Sequence, residues 1–403
     1  MKRTAILAIG ALAVIGGLGL GMFAALASGP TPSHPTGSRN VAGLGSTPPS
    51  VTPSPAGSSS VATASPPPSA APTPTPKPTP VLVPAPLTGR LVSPAAAARH
   101  PIAVMVDDLS PARPQSGFNS ASIVWQAPAE GGIPRYMMVF QENIPTDVGP
   151  VRSSRYYYIT WASELDALYA HAGGSPQALA TLRNFGSGQL VYNADEFRWG
   201  NSFRRVPFRF APHNLYTTGK QLRGIAATVG AKDGPISWPW TFAPDAPFAD
   251  RPGGGKIQVT YGGVSGNTIG FDYDRFSNTY LRSVTGEKKQ VDNATGKRVA
   301  PKNVVVMVVH FGPLNDGSKK HRLEGDVIGS GQAWISTNGI TIQGTWKKTS
   351  VKSATQFFDK AGKPVVLTVG QTFVQVMKTT DVISFTPGKR VPPDAFGHGM
   401  RAI

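Results

Sequence analysis

IAVMVDD (102–108) is a continuous β-prone run that stops on two aspartates. Without polar alternation, such a run fits a strand of a layered sheet. Two more β-prone segments follow at 122–125 and 136–140, and helical spacing then appears at 157–168, 177–185 and 218–229. The alternation predicts a mixed α/β domain over 87–250, in which Asp107 closes its strand at the end where open α/β sheets place ligands.

Beyond WPW (238–240) and GGG (253–255) the pattern changes to period two. Runs at 257–261, 269–273, 280–284, 304–311, 333–336, 341–346, 365–369 and 373–377 all read as strands, and Asn338-Gly339 between two of them is a strong hairpin signal. Residues 251–403 are therefore expected to form an antiparallel β-rich domain, so the chain as a whole reads as α+β.

Working back toward the start, Lys2-Arg3 precedes an uncharged apolar run from 5 to 27. A secretory h-region is about 7–15 residues and a membrane span about 20, so the length favours a retained single-pass anchor over residues 1–28. Basic residues hold the N-terminus in the cytoplasm and leave the rest extracytoplasmic. Ala25 and Ala27 also form an A-x-A pattern, and the alternative is a secreted form cleaved after Ala27. Residues 29–86 are rich in Pro, Ser, Thr, Ala and Gly, with Arg39 and Lys77 as the only fixed charges, and read as a disordered, extended linker. The absence of cysteine excludes disulfides and a lipobox, so the exported part must be held by its core alone.

The net charge is +17. Outside the cell the abundant polyanions are phospholipid head groups and wall polymers, so the charge points to these and not to nucleic acid. Between 87 and 249 the only lysines are Lys220 and Lys232, whereas later in the chain lysine predominates. Arginine chosen over lysine suggests fork-shaped recognition of carboxylate or phosphate, which puts the ligand site in the first domain. Scattered lysines such as Lys347 and Lys348 read as a solvated face of the second.

Arginine, histidine, glycine and acid crowd together in RPQSG (113–117), EGGIPRY (130–136), GPVRSSR (149–155), HAGGSPQAL (171–179) and RRVPFRFAPHNLYTT (204–218). With PLTG (86–89), NVVVM (303–307) and GSGQAWI (329–335), these segments resemble, in order, the YerB-like family of exported bacterial lipoproteins, whose two domains have no assigned function. The resemblance covers 87–403. It implies an acid after the aromatic of the second strand, where this chain has Gln126, and Pro134 stands where a threonine is common. The lipobox is replaced by the longer apolar run.

A carboxylate at 126 being absent, Asp107 and Glu130 are the acid/base candidates, with His171 and His213. The anion-binding candidates are Arg113, Arg135, Arg152, Ser153, Arg155 and Asn214, with Gly173, Gly174 and Ser175. Arg152 and Arg155 share a face if their segment opens a helix. Ser175 and Pro176 suit the N-cap and first position of a helix whose free N–H groups attract anions, although an ordinary capped helix explains them as well. No H-x-x-x-H or similar spacing supports a metal, and nothing names a cofactor. His310 and His321 are assigned to structure.

Two functions remain open. The first is an anchored module that binds an anionic wall polymer or peptidoglycan fragment. The second is an enzyme acting on a phosphate-containing wall polymer, since the order of strand, Arg-rich turn, Gly-Gly and helix is similar, at the level of fold, to the LytR-CpsA-Psr phosphotransferases.

Overall fold

A computed structural model describes residues 80–184, 190–262 and 266–391. The apolar run 5–27 and the linker as far as residue 79 lie outside the described residues. Among the described residues no helix is long and apolar enough to cross a membrane.

The first half contributes β1 (Ile102–Asp107), β2 (Ile123–Ala127), β3 (Arg135–Phe140), α1 (Tyr156–Ser163), β4 (Leu168–His171), α2 (Pro176–Asn184), β5 (Tyr192–Asp195), a hairpin of β6 (Arg204–Arg205) with β7 (Leu215–Tyr216), and α3 (Gly219–Val229). The principal strands of the second half are β8 (Lys256–Tyr261), β9 (Asn267–Asp274), β10 (Thr279–Val284), β11 (Asn303–Val309), β12 (Gly329–Thr337), β13 (Ile340–Lys348), β14 (Gln356–Asp359), β15 (Thr372–Lys378) and β16 (Val382–Thr386). Strands predominate over helices, and the architecture is α+β.

Ten strands form one sheet in the order β14-β13-β12-β11-β15-β2-β3-β1-β4-β5. Strands from both sides of residue 250 therefore share a single sheet, joined where β15 runs parallel to β2 through Phe373↔Val124 and Gln375↔Gln126. β1 and β2 are buried at every position, as a strand covered on both faces requires. The β15 pairings with β11 and β2 are parallel, while β11-β12-β13-β14 is antiparallel.

One face of the sheet, with Val104, Val124, Tyr136 and Phe373, packs on the four-stranded sheet β10-β9-β8-β16 through Val259, Tyr261, Ile269 and Phe271. The other face takes α1 and α2. There Trp125 of β2 stacks on Trp161 of α1 at 4.7 Å and 12° between ring planes, a close offset pair.

Two local expectations change. Helical spacing at 157–168 runs through two elements: α1 ends at Ser163, Asp166 turns the chain with φ +47°, and 168–171 becomes β4, whose parallel pairing with β1 overrides local periodicity. Lys348 does not lie on a solvated face. It follows Gly344 and Trp346 on the inward register of β13, its side chain is 0% exposed, and its Nζ lies 2.9 Å from Glu164 at the end of α1. Lys347 is exposed as expected. His310 is also exposed, with Nδ1 2.8 Å from Asp326.

Candidate functional site

β1 is apolar from Ile102 to Val106, and at its C-terminal end Asp107 and Asp108 enter a web of loops. The segment 149–155 runs beside that end. Asp107 N donates to Pro150 O at 2.9 Å, Arg152 N to Met105 O at 2.9 Å and Val151 N to Leu215 O at 2.6 Å, so β1, GPVRSSR and the β6–β7 hairpin are held together by backbone. Glycine at 149 is required by this closeness: φ is +154°, and a Cβ would lie 2.7 Å from the Tyr216 ring.

This wiring brings three of the candidates onto one oxygen. His213 Nδ1 lies 2.7 Å from Asp107 Oδ2, and Arg152 Nε lies 2.9 Å from the same atom. The arginine contact is a close ion pair whose angle is not that of a hydrogen bond, since Arg152 Nε is buried without a hydrogen-bond acceptor. Asp107 Oδ1 accepts from Leu109 N at 3.1 Å. Asp107 is buried, whereas the side chains of Arg152 and His213 are 26% and 14% exposed. Among the described residues the Nη groups of Arg152 and Nε2 of His213 have no partner, so a carboxylate holds the inner edges of a guanidinium and an imidazole and leaves their outer nitrogens available.

The remaining candidates are engaged elsewhere. Arg113 Nη2 binds Asp108 Oδ1 at 3.0 Å, and the same guanidinium donates to Thr285 O at 2.8 Å and Asn267 Oδ1 at 3.2 Å. Glu130 is the shared counter-ion of Arg155 and of Arg135 at 3.5 Å, with Arg322 at 3.7 Å. Burial raises the Glu130 carboxyl, but Arg155 and Arg135 outweigh it and hold it below the usual range. Ser153 O accepts from Arg135 Nη1 at 3.0 Å, and Asn214 Oδ1 accepts from Arg205 Nη1 at 3.0 Å. Arg155 does not share a helical face with Arg152, because both precede α1.

His171 is fully buried, its Nδ1 2.8 Å from Gly173 O and its Nε2 2.8 Å from Asn193 Oδ1. Ser175 Oγ accepts from Ala178 N at 3.3 Å, which makes it the cap of α2. Gly174 packs closely, since a Cβ there would sit 3.3 Å from both Leu179 and Ser154, and Gly173 N donates to Asp195 Oδ1 at 3.3 Å.

A buried network beside Asp107 escaped the sequence reading. Asp108 accepts from Gln126 Nε2 at 2.6 Å, Tyr136 Oη at 2.9 Å and Asn267 Nδ2 at 3.1 Å, besides Arg113. Gln126 Oε1 in turn accepts from Arg282 Nη2 at 2.6 Å, and Arg282 also donates to Gln290. Position 126 thus joins a carboxylate to a guanidinium, a bridge that an amide makes with one donor and one acceptor. Burial raises the Asp108 carboxyl in spite of Arg113 and Arg282. Over this network lies a cleft of about 420 Å³ lined by Leu109, Arg113, Ile133, Pro134 and Thr285. A second cavity of about 410 Å³ lies in the later half, among Lys256, Tyr273, Tyr280, Trp334 and Phe385. Among the described residues no group of three His, Asp or Glu is placed to hold a metal ion.

Two family models match the chain, the DUF3048 N-terminal domain over 87–232 and the DUF3048 C-terminal domain over 257–374, both described as protein of unknown function. A Bacillus subtilis (strain 168) protein named "Putative lipoprotein YerB" is 33% identical over 311 residues, covering 76% of this chain and 90% of that protein. The crystal structure of the YerB protein from Bacillus subtilis superposes with a TM-score of 0.66 at 29% identity, covering 74% of this chain and 99% of that one.

Proposed function

This chain belongs to the YerB-like family of two-domain proteins of unknown function, and on that premise we propose that it is an extracytoplasmic cell-envelope protein that binds an anionic envelope component at the Asp107–Arg152–His213 site. The lipoprotein name of the relative and the Lys2-Arg3 start with its apolar run support the compartment, with the N-terminal segment as the single-pass attachment to the cytoplasmic membrane. The observation that carries the binding reading is the use of one carboxylate oxygen to fix both Arg152 and His213 by their inner nitrogens. Their outer nitrogens then present the four N–H groups of the Arg152 Nη atoms and one imidazole nitrogen in a fixed arrangement, which suits a phosphate or carboxylate. An anionic wall polymer or a peptidoglycan peptide is the ligand class.

Arg152→Lys tests this. An ammonium cannot reproduce the fork, so affinity for a poly(glycerol phosphate) fragment is expected to fall about tenfold, the worth of one lost charge-assisted hydrogen bond. The thermal midpoint should hardly move, because Arg152 is partly exposed. A folded Arg152→Lys protein with unaltered affinity for both that polymer and a peptidoglycan peptide removes GPVRSSR from the site.

The dyad itself favours a second reading, an enzyme acting on the same polymer. With Nδ1–H donated to Asp107, the His213 Nε2 is the basic nitrogen and can take a proton from water or a hydroxyl. Polymer cleavage by the native protein that is lost in His213→Gln would establish it.

A further inference from the structure

The β6–β7 hairpin and the turn before it carry three phenylalanines in water. Phe197 is 81% exposed, Phe208 61% and Phe210 92%. Their exposure is not a shortage of core, since the same hairpin turns Phe203, Val206, Leu215 and Tyr216 inward. Arginines alternate with them. Arg198 and Arg205 are exposed, Arg204 is paired to Asp147 at 2.8 Å, and Arg209 lies over the Phe208 ring at 5.5 Å while donating to the carbonyls of Ala112 and Pro114. Arg205 reaches both Asn214 in the hairpin and Glu196 beside Phe197, at 3.0 and 3.9 Å, so the two segments form one surface.

We propose that this surface docks on an anionic phospholipid bilayer. Phenylalanine has no hydrogen-bonding group to offer a hydrated polymer, but it partitions into the boundary between head groups and acyl chains. Guanidinium groups at the same depth bond lipid phosphate in pairs of N–H groups. Charge complementarity is present as well: Arg198 and Arg205 are exposed with Glu196 and Asp195 beside them, while Arg204 is paired to Asp147 and Arg209 to backbone carbonyls. If the apolar run at 5–27 anchors the chain, the roughly 50 residues of sequence between it and the described part supply enough chain for the folded part to reach the membrane that holds it. The inference does not depend on Arg152 or His213 binding an anion.

Because the chain has no cysteine, Phe210→Cys gives one site for a polarity-sensitive fluorophore, and Val382→Cys, at an exposed position on β16, gives the control. Both are placed in the full chain and reconstituted into vesicles of phosphatidylglycerol with phosphatidylcholine, or of phosphatidylcholine alone. The label at 210 is expected to shift to the blue and to be quenched by nitroxides on the acyl chains in anionic vesicles, with quenching on the order of tenfold weaker in neutral vesicles or in Arg198→Glu/Arg205→Glu. The label at 382 should stay in water throughout. Arg152→Lys should leave all of this unchanged, which separates this surface from the anion site. A label at 210 that remains as water-exposed as that at 382, or is quenched equally in neutral vesicles, overturns the proposal. So does a blue shift produced by soluble poly(glycerol phosphate) without vesicles, which makes the partner a polymer.

Discussion

Lys348→Ala is expected to lower stability by about 3–5 kcal/mol, the cost of breaking a buried ion pair by removing one partner. The ammonium makes three contacts, to Glu164 Oε1 at 2.9 Å, Val351 O at 2.8 Å and Ser353 O at 2.6 Å, which use all its donors. Without it Glu164 keeps, among the described residues, only Thr355, through N at 3.1 Å and Oγ1 at 2.6 Å, and stays buried without its counter-ion. Since Glu164 closes α1 and Lys348 closes β13, the pair ties the first half of the chain to the second. Lys347→Ala, on the exposed register, should change stability by no more than about 0.5 kcal/mol. Adding Glu164→Gln to Lys348→Ala should recover part of the loss, because the amide still accepts from Thr355 without a charge. Urea unfolding of the four proteins checks the set, and a Lys348→Ala midpoint equal to that of Lys347→Ala would refute the buried strut.

Asp108→Ala should be of similar size, about 3–5 kcal/mol, and for a related reason. Its carboxylate receives Gln126, Tyr136, Asn267 and Arg113, all buried or nearly so, and its loss takes this acceptor from the first three and the counter-ion from Arg113. Gln126 then no longer holds Arg282, which lies fully buried among the rings of Tyr136, Phe271 and Phe373 at 5.2–5.4 Å. Asp108→Asn keeps the shape and loses the charge, so its cost should be intermediate. Asp107→Ala, one residue earlier, should act mainly on binding, because its partners Arg152 and His213 can turn to water. Thermal melting and polymer binding on the three variants separate the two aspartates. An Asp108→Ala protein as stable as the native one would show that the network is not a structural hub.

Much of this architecture was legible from periodicity. The run at 102–106 is apolar throughout and became a central strand, as did the run at 304–311 as far as Val309, while the alternating runs at 257–261 and 280–284 became half-covered ones. Short β4 and β5 were not legible, because ALYAH and YNAD are too brief to show a period and are fixed by parallel pairing to β1 and to each other. The pairing of β15 with β2 joins residues some 250 apart in sequence and leaves no local trace.

At the site, Asp107, Arg152 and His213 were among the residues named from composition and position, but the same reasoning also named Arg113, Arg135 and Arg155. Which arginine is spent on which acid is a tertiary fact. Two signals could have narrowed it. In β10, Arg282 shares the inward register with Tyr280 and Val284, and an arginine in that register must meet a buried acceptor. In β13, Lys348 shares the register of Trp346 in the same way. The Asp107-Asp108 doublet likewise has to send its carboxylates to opposite sides, one toward the exposed pair and one into the core.

The central claim is that an envelope anion is held by the outer nitrogens of Arg152 and His213. The most direct measurement is a titration of the protein, with arginine and histidine side chains labelled with nitrogen-15, against poly(glycerol phosphate), followed by magnetic resonance of guanidinium and imidazole nitrogens. The account predicts that Arg152 and His213 shift together and saturate together, while Arg113 on Asp108 and Arg155 on Glu130 stay unmoved. A titration in which Arg113 or Arg155 shifts and Arg152 and His213 do not would contradict it.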